Sequence, residues 1–252
     1  MTKQADPSAG TSLWSKSEVR RGGRGERPSG LDRQRITAAS VRLLDDGGLA
    51  GFSMRRLAAA LDVTAMSLYW YVDTKDDLLE LALDAVYGEL EPTEADRAGE
   101  DWPEQLRRLA TAYRGLLVRH PWLPALAGRY LNIGPNSLAF SRAIQQLVRR
   151  AGLPPHGVTG AIAAVLQFVH GYGTIESRFL TRIADTGLSP EEYFRRTMSL
   201  VDEVPGTAEV IGESKDIMAA RGGDTVAEML DRDFTFALDL LIAGIEALAV
   251  RG

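Results

Sequence analysis

From Leu31 onward, apolar residues recur at steps of three and four almost without interruption, and nowhere do they settle into the alternation of a half-buried strand. That pattern confines the chain to helices packed on helices, so the fold class is all-α. Ile36, Ser40, Leu43 and Leu44 mark one face of a first helix that Gly47-Gly48 should end. Ser53 is suited to cap a short second helix carrying Leu57, Ala58 and Leu61. Asp62-Val63 makes the next turn, since Asp tolerates the left-handed backbone better than most residues. Thr64 then caps a third helix, expected over Ala65 to Tyr71, with Leu68 and Val72 facing the core. Thr74 followed by Asp77 has capping-box form and opens a fourth helix whose apolar face is Leu79, Leu83, Val86 and Leu90.

Farther along, Trp102, Leu106, Leu109, Tyr113, Leu116 and His120 form one stripe of a long helix closed by Pro121. A further helix is expected over roughly 137–151, ending at Gly152. The segment from Val158 to about Leu180 is the most apolar, with Ile162, Val165, Phe168 or Val169, Tyr172, Ile175 and Phe179 in phase. Ser189-Pro190-Glu191-Glu192 reads as a helix start. Residues 203–223, rich in Gly and Pro, read as a connection. The chain closes on Phe234, Leu238, Leu241, Ile245 and Leu248, again in steps of four and three.

With 252 residues the chain can bury a substantial core. It has no cysteine, which excludes disulfides and thiolate metal sites and suits a reducing cytoplasm. Three scattered histidines, His120, His156 and His170, argue against an imidazole metal site, so no metal and no cofactor is expected. No apolar run reads as long enough to cross a bilayer, and no apolar stretch follows the N-terminal charges as in a secretory signal. The net charge of −5 divides unevenly: residues 1–76 hold 12 Lys and Arg against 9 Asp and Glu, and residues 77–252 hold 17 against 25. A basic end on an acidic body fits an anionic partner at that end, although chance partitioning produces the same balance. Residues 1–30 have the composition of a disordered arm, with Arg20, Arg21, Arg24 and Arg27 clustered in it. Such an arm either enters a DNA minor groove or remains a solvated tail.

Two short helices over 53–60 and 65–71, joined by a tight turn and braced by a longer preceding helix, have the layout of a helix-turn-helix. There the start of the second helix reads base edges. Ser53, Thr64, Ala65, Met66, Ser67, Tyr69 and Tyr71 are accordingly the candidate DNA-facing residues, with Lys75 placed for phosphate at the next helix start. A plain helical hairpin would show the same spacing. The residues favour the first reading: "FSMRRLAAALDVTAMSLYWYVDTKDDLLELALDAV" resembles the DNA-binding domain of the TetR family of transcriptional repressors. That family has a capped second helix with Leu-Ala, a turn ending in Val, then Leu-Tyr-Trp and a Lys before an apolar pair. Here these are Ser53, Leu57-Ala58, Val63, Leu68-Tyr69-Trp70, Lys75 and Leu78-Leu79, with Asp62 where Gly is usual.

More weakly, "DWPEQLRRLATAYRGLLVRHPWL" and "AIAAVLQFVHGYGTIES" resemble helices of the tetracycline-repressor branch, whose C-terminal domain binds an inducer and dimerises through a four-helix bundle. Beyond the arm that composition gives over 1–30, the resemblance implies a helix-turn-helix domain over 31–78 and a ligand-binding and dimerisation domain over 79–252. It implies a homodimer built on Ile162, Val165, Val169, Phe234, Leu238, Leu241 and Ile245, unless those faces form the monomer's own core. Tyr113, Trp122, Tyr130, Asn132, Gln145, Gln167, Phe168, His170 and Tyr172 are the candidate effector contacts, a lining suited to an apolar or polycyclic small molecule. The branch's metal–tetracycline His falls at Leu126, and its Glu at Ile175 or Glu176, which argues against a metal-bound ligand. The expected function is a cytoplasmic, ligand-responsive repressor of a double-stranded DNA operator, with no membrane partner. The alternatives are a regulator without an inducer and, remotely, an all-α enzyme using the C-terminal cavity.

Overall fold

The computed structural model describes residues 12–15, 31–90, 101–202, 217 and 220–251. Among them there is no strand, and helices follow one another through the chain as the periodicity requires. They are α1 (Arg33–Gly51), α2 (Met54–Ala60), α3 (Ala65–Leu68), α4 (Lys75–Tyr87), α5 (Trp102–Arg119), α6 (Leu123–Ala127), α7 (Pro135–Arg149), α8 (Pro155–Thr186), α9 (Pro190–Asp202) and α10 (Val226–Arg251). The chain forms two compact units. The first comprises residues 1–99 and 115–146, the second 100–114 and 147–252.

In the first unit α1 packs on α4 and α2, α2 on α3, and α6 on α4. Its core is Ile36, Ala39, Leu44, Leu57, Leu68, Val72, Leu78, Leu79 and Leu83, all buried. The caps behave as the sequence indicates. The Ser53 hydroxyl accepts from Arg56 N–H, Thr64 from Ser67 N–H, and Thr74 from Asp77 N–H. Asp77 in turn accepts from the Thr74 N–H at 3.0 Å, completing the capping box. At Gly48 the backbone leaves the helical region with φ 59°, but a further turn carries α1 to Gly51. Helix α3 stops at Leu68, short of Tyr71, as the Tyr69 and Tyr71 N–H groups close only three residues back, onto the Met66 and Leu68 carbonyls, in a tighter turn. Helix α6, only five residues long, is too short for a periodic signal.

Asp62 adopts φ 54°, the left-handed conformation expected of the turn between α2 and α3. A Cβ in this region costs about 1 kcal/mol, which glycine does not incur. Asp62→Gly is therefore expected to raise stability by up to about 1 kcal/mol, and Asp62→Val to lower it by about 1–2 kcal/mol, in chemical denaturation.

In the second unit α8 packs on α10, and α9 on both. Phe234, Leu238, Ile242 and Ile245 of α10 are buried, as are Ala161, Val165, Val169 and Ile183 of α8. Helix α8 runs well beyond the expected 158–180, from Pro155 to a left-handed stop at Gly187. By length and composition it is apolar enough to cross a membrane, contrary to the sequence expectation.

Two expectations meet the structure differently. Most of the arm, with Arg20, Arg21, Arg24 and Arg27, and residues 203–216 of the proposed connection lie outside the described residues. Leu13–Ser15, however, form a 3₁₀ turn in which Leu13, with Ser12 before it, is buried, rather than part of a solvated tail.

Candidate nucleic-acid interface and effector site

The start of α3 projects the side chains that the sequence singled out. Thr64 is exposed, and its hydroxyl shares a 2.9 Å hydrogen bond with that of Ser67. Met66 is 72% exposed and Tyr69 47%, while Leu68 between them is completely buried. Ala65 and Ser67 are half-buried. This is a helix end with one anchored face and one open face, the arrangement that lets side chains reach base edges. Trp70, which the sequence reading used only as a family mark, is 54% exposed, and Arg55 of α2 is exposed as well. Their signal was available: a large aromatic directly after an anchored Leu-Tyr pair, and a cation in the first turn of a capped helix.

Two candidates are engaged in hydrogen bonds within the chain. The Tyr71 hydroxyl donates to the Leu31 carbonyl at 2.5 Å, and Arg33 donates to the Tyr71 carbonyl at 3.3 Å. Tyr71 thus braces the start of α1 instead of standing on the open face beside Tyr69. The Lys75 ammonium donates to the Phe52 carbonyl at 2.8 Å and lies 5.5 Å from that ring's centre. It ties the start of α4 to the start of the helix-turn-helix, leaving further N–H groups for a phosphate. Ser53 is occupied as the cap of α2.

The effector candidates fall into both units. In the second, the Tyr113 hydroxyl is 3.0 Å from His170 Nδ1. Phe168 stacks on Phe234 with centroids 5.5 Å apart, and Tyr172 meets Phe234 edge-on at 5.3 Å. The Tyr172 hydroxyl donates to the Leu230 carbonyl at 2.7 Å, and burial raises its pKa. Gln167 is exposed on α8. The other four belong to the first unit and are engaged locally. Trp122 donates to Asp45 at 2.7 Å, Tyr130 to Asp76 at 3.0 Å, Asn132 to the Ala127 carbonyl at 2.8 Å, and Gln145 to Ser141 at 3.2 Å. Burial and the Asp76 carboxylate hold the Tyr130 phenol well above its ordinary range.

The strongest group in the second unit was missed by the sequence reading. Arg114 is only 8% exposed, and it forks onto Glu176 with bonds of 2.5 and 2.7 Å. Its remaining nitrogen donates to Asp231 at 2.5 Å. The guanidinium lies 4.7 Å from the Phe234 ring centre and 5.4 Å from that of Tyr172. Glu176 and Asp231, placed within otherwise apolar helical faces, were the available signal. Among the described residues no group of His, Asp or Glu is placed to hold a metal ion.

Burial lowers the pKa of His170 below 6.5, because the half-buried ring is more costly to charge than it is in the unfolded chain. Between the two values the unfolded state carries more protons, so stability rises with pH across that window. Acidification from about pH 7 is thus expected to destabilise the second unit. In denaturation series at several pH values, His170→Gln should flatten that slope.

The faces expected to dimerise are mostly turned inward. Val165, Val169, Phe234, Leu238 and Ile245 are buried in the second unit's own core, and Ile162 and Leu241 are half-buried. The phase was right for an amphipathic helix, but each helix carries a second apolar seam. On α10 that seam is Phe236, Leu240, Ala243 and Ala247; on α8 it is Gly160, Ala164, Gly171 and Ile175, all exposed. A Cβ added at Gly160, Gly171 or Gly244 would meet nothing within 4 Å.

Comparisons with known proteins agree with this geometry. Residues 36–82 match the family described as bacterial regulatory proteins, tetR family, and residues 95–249 match the tetracyclin repressor-like C-terminal domain. The HTH-type transcriptional repressor DrrR1 of Streptomyces coeruleorubidus is 32% identical over 92% of this chain and 83% of its own length. An HTH-type transcriptional regulator of Saccharopolyspora erythraea is 42% identical over 58% of this chain, which spans 61% of that protein. Among solved structures, apo ActR of Streptomyces coelicolor superposes with a TM-score of 0.67 at 26% identity, covering 89% of this chain and 99% of ActR. ActR in complex with actinorhodin gives 0.68 at 24% identity, covering 87% and 97%. The chain belongs to the TetR family of transcriptional repressors, with the family's helix-turn-helix at its N-terminal side and a tetracycline-repressor-like helical domain after it.

Proposed function

We propose that this chain is a homodimeric repressor that binds a palindromic operator through α2 and α3 and is released by an apolar or polycyclic small molecule held in its second unit. The observation that carries the DNA-binding part is the capped, one-sided α3, with Thr64, Met66 and Tyr69 exposed beside a completely buried Leu68. A single such helix end contacts too few bases for a specific site, so two copies are required. The exposed seams of α8 and α10 supply the joining face: small residues on α8 admit close approach, and Phe236 and Leu240 provide apolar area. On this reading α8 is a joining face within the cytoplasm, where the operator is, and not a membrane span. Basic residues of the arm, Arg20, Arg21, Arg24 and Arg27, add phosphate or minor-groove contacts. Following the family layout, residues 31–78 serve DNA and 79–252 serve effector binding and dimerisation.

For the effector, Tyr113, Phe168, His170 and Tyr172 supply an aromatic lining with few polar groups, suited to a flat apolar ligand. Glu176 is already matched by Arg114, and Leu126 offers no metal ligand, so a metal-free effector fits best. The complex of ActR with actinorhodin is a precedent in this fold. One observation favours a second reading, a regulator without an inducer: Phe168, Tyr172 and Phe234 already stack on each other. To release DNA, an effector must bind the DNA-incompetent form more tightly, and DNA must weaken effector binding by the same factor. Titrating actinorhodin into a complex with the native upstream duplex tests this directly. Release with reciprocal weakening supports the inducible reading; tight DNA binding indifferent to this and other flat aromatic compounds supports the second.

A further inference from the structure

Upstream of α1 the chain makes a contact that recognition of DNA does not by itself require. Ser12 and Leu13 are each only 5% exposed, within a stretch whose composition reads as solvated. A single 3₁₀ turn, Leu13–Ser15, is closed by the Ser15 N–H and hydroxyl, which both donate to the Ser12 carbonyl, at 3.0 and 2.7 Å. That turn aims two donors at one oxygen of Glu80 on α4: the Ser12 hydroxyl, and the Leu13 N–H at 3.1 Å. Beside them, Trp14 borders a shallow surface crevice shared with Leu83, Asp84, Tyr130, Asn132 and Ser137.

Glu80 is only 6% exposed, and a carboxylate so buried depends on donors brought to it. It lies one turn beyond Asp77. The start of α4 also holds the end of the helix-turn-helix. Asp77 accepts from the N–H groups of Asp73 and Thr74, and Lys75 reaches back to the Phe52 carbonyl. A segment that secures Glu80 therefore bears on the element that positions α2 and α3.

We propose that Ser12–Ser15 is an intramolecular latch, docked on Glu80 through Ser12 and Leu13, and that its docking sets the DNA-binding competence of the helix-turn-helix. The proposal rests on the DNA-binding reading above. The Ser-Leu-Trp-Ser sequence supplies each part: a hydroxyl and an amide for the carboxylate, a leucine for the buried seat, an indole beside Leu83 and Tyr130, and a serine to close the turn.

The test uses the full chain and two substitutions from opposite sides of the contact, Leu13→Asp and Glu80→Gln, with the double variant. Leu13→Asp alters the latch and leaves the side chains of α4 intact. Hydrogen exchange would be followed in residues 12–15 and 75–87, and operator affinity by anisotropy at one salt concentration. The expected result is protection of 12–15 in the wild type, faster exchange in both segments in each variant, and about a tenfold loss of operator affinity. The double variant should be little worse than the weaker single, because both remove the same contact. Unprotected exchange of 12–15 in the wild type would overturn the latch. Undocking by Leu13→Asp with unchanged operator affinity would overturn its role in competence. If the wild type itself does not prefer the native duplex, the DNA-binding reading has failed; the competence claim then falls with it, and exchange protection shows docking alone.

Discussion

Replacing Arg114 by Met is expected to lower the chain's unfolding free energy by about 3–5 kcal/mol. The side chain is 8% exposed and Glu176 9%, so removing the guanidinium strands a carboxylate where water cannot solvate it. The loss extends beyond the charge. Arg114 also covers the faces of Phe234 and Tyr172, and Met restores bulk there without the donors. Asp231 is 72% exposed, so its share of the effect is small and screened by salt. The double variant Arg114→Met/Glu176→Leu separates the causes. If the stranded carboxylate dominates, the second substitution should recover most of the stability lost to the first, since apolar replacement of a whole buried pair is often neutral. Urea denaturation of the two single variants and the double variant gives the answer.

Leu240→Arg should convert the protein to monomers and weaken operator binding by about 10²–10⁴-fold. Leu240 is 60% exposed and Phe236, one turn before it, 68% exposed, so the substitution leaves the unit's own core intact. What it places in the seam is a charge that an apolar joint would have to desolvate. Two linked recognition helices bind as one event because the first raises the effective concentration of the second, and that advantage vanishes in a monomer. Sedimentation and anisotropy on the same samples connect the two losses, with circular dichroism confirming the helices. A folded Leu240→Arg dimer of unchanged affinity would place the joint elsewhere.

The all-α class and nearly every helix were legible because periodicity and caps are local properties. Ser53, Thr64 and Thr74 each cap the helix they were expected to cap, and Asp62 takes the left-handed turn. The open face of α3 was legible for the same reason: with Leu68 facing inward, Met66 and Tyr69 are left exposed. What remained hidden depends on partners distant in sequence. Tyr71 shares the register of an exposed residue, but its hydroxyl reaches Leu31, forty positions earlier. Periodicity located apolar faces on α8 and α10 without revealing that each helix has two. The pairing of Arg114 with Glu176 and Asp231, and the docking of Ser12 and Leu13 on Glu80, join segments that no spacing rule connects.

The central claim, sequence-selective DNA recognition through the open face of α3, is tested most directly by one titration. Purified full-length protein would be titrated by fluorescence anisotropy onto its own upstream intergenic duplex and a scrambled duplex, at several salt concentrations, beside a variant carrying Met66→Ala and Tyr69→Ala. The account predicts tight binding to the native duplex, a strong salt dependence, and a variant whose preference over the scrambled duplex collapses by about 1–3 kcal/mol per lost base contact, with its salt slope nearly unchanged. Equal affinity for both duplexes, or a variant that discriminates as well as the wild type, would contradict it.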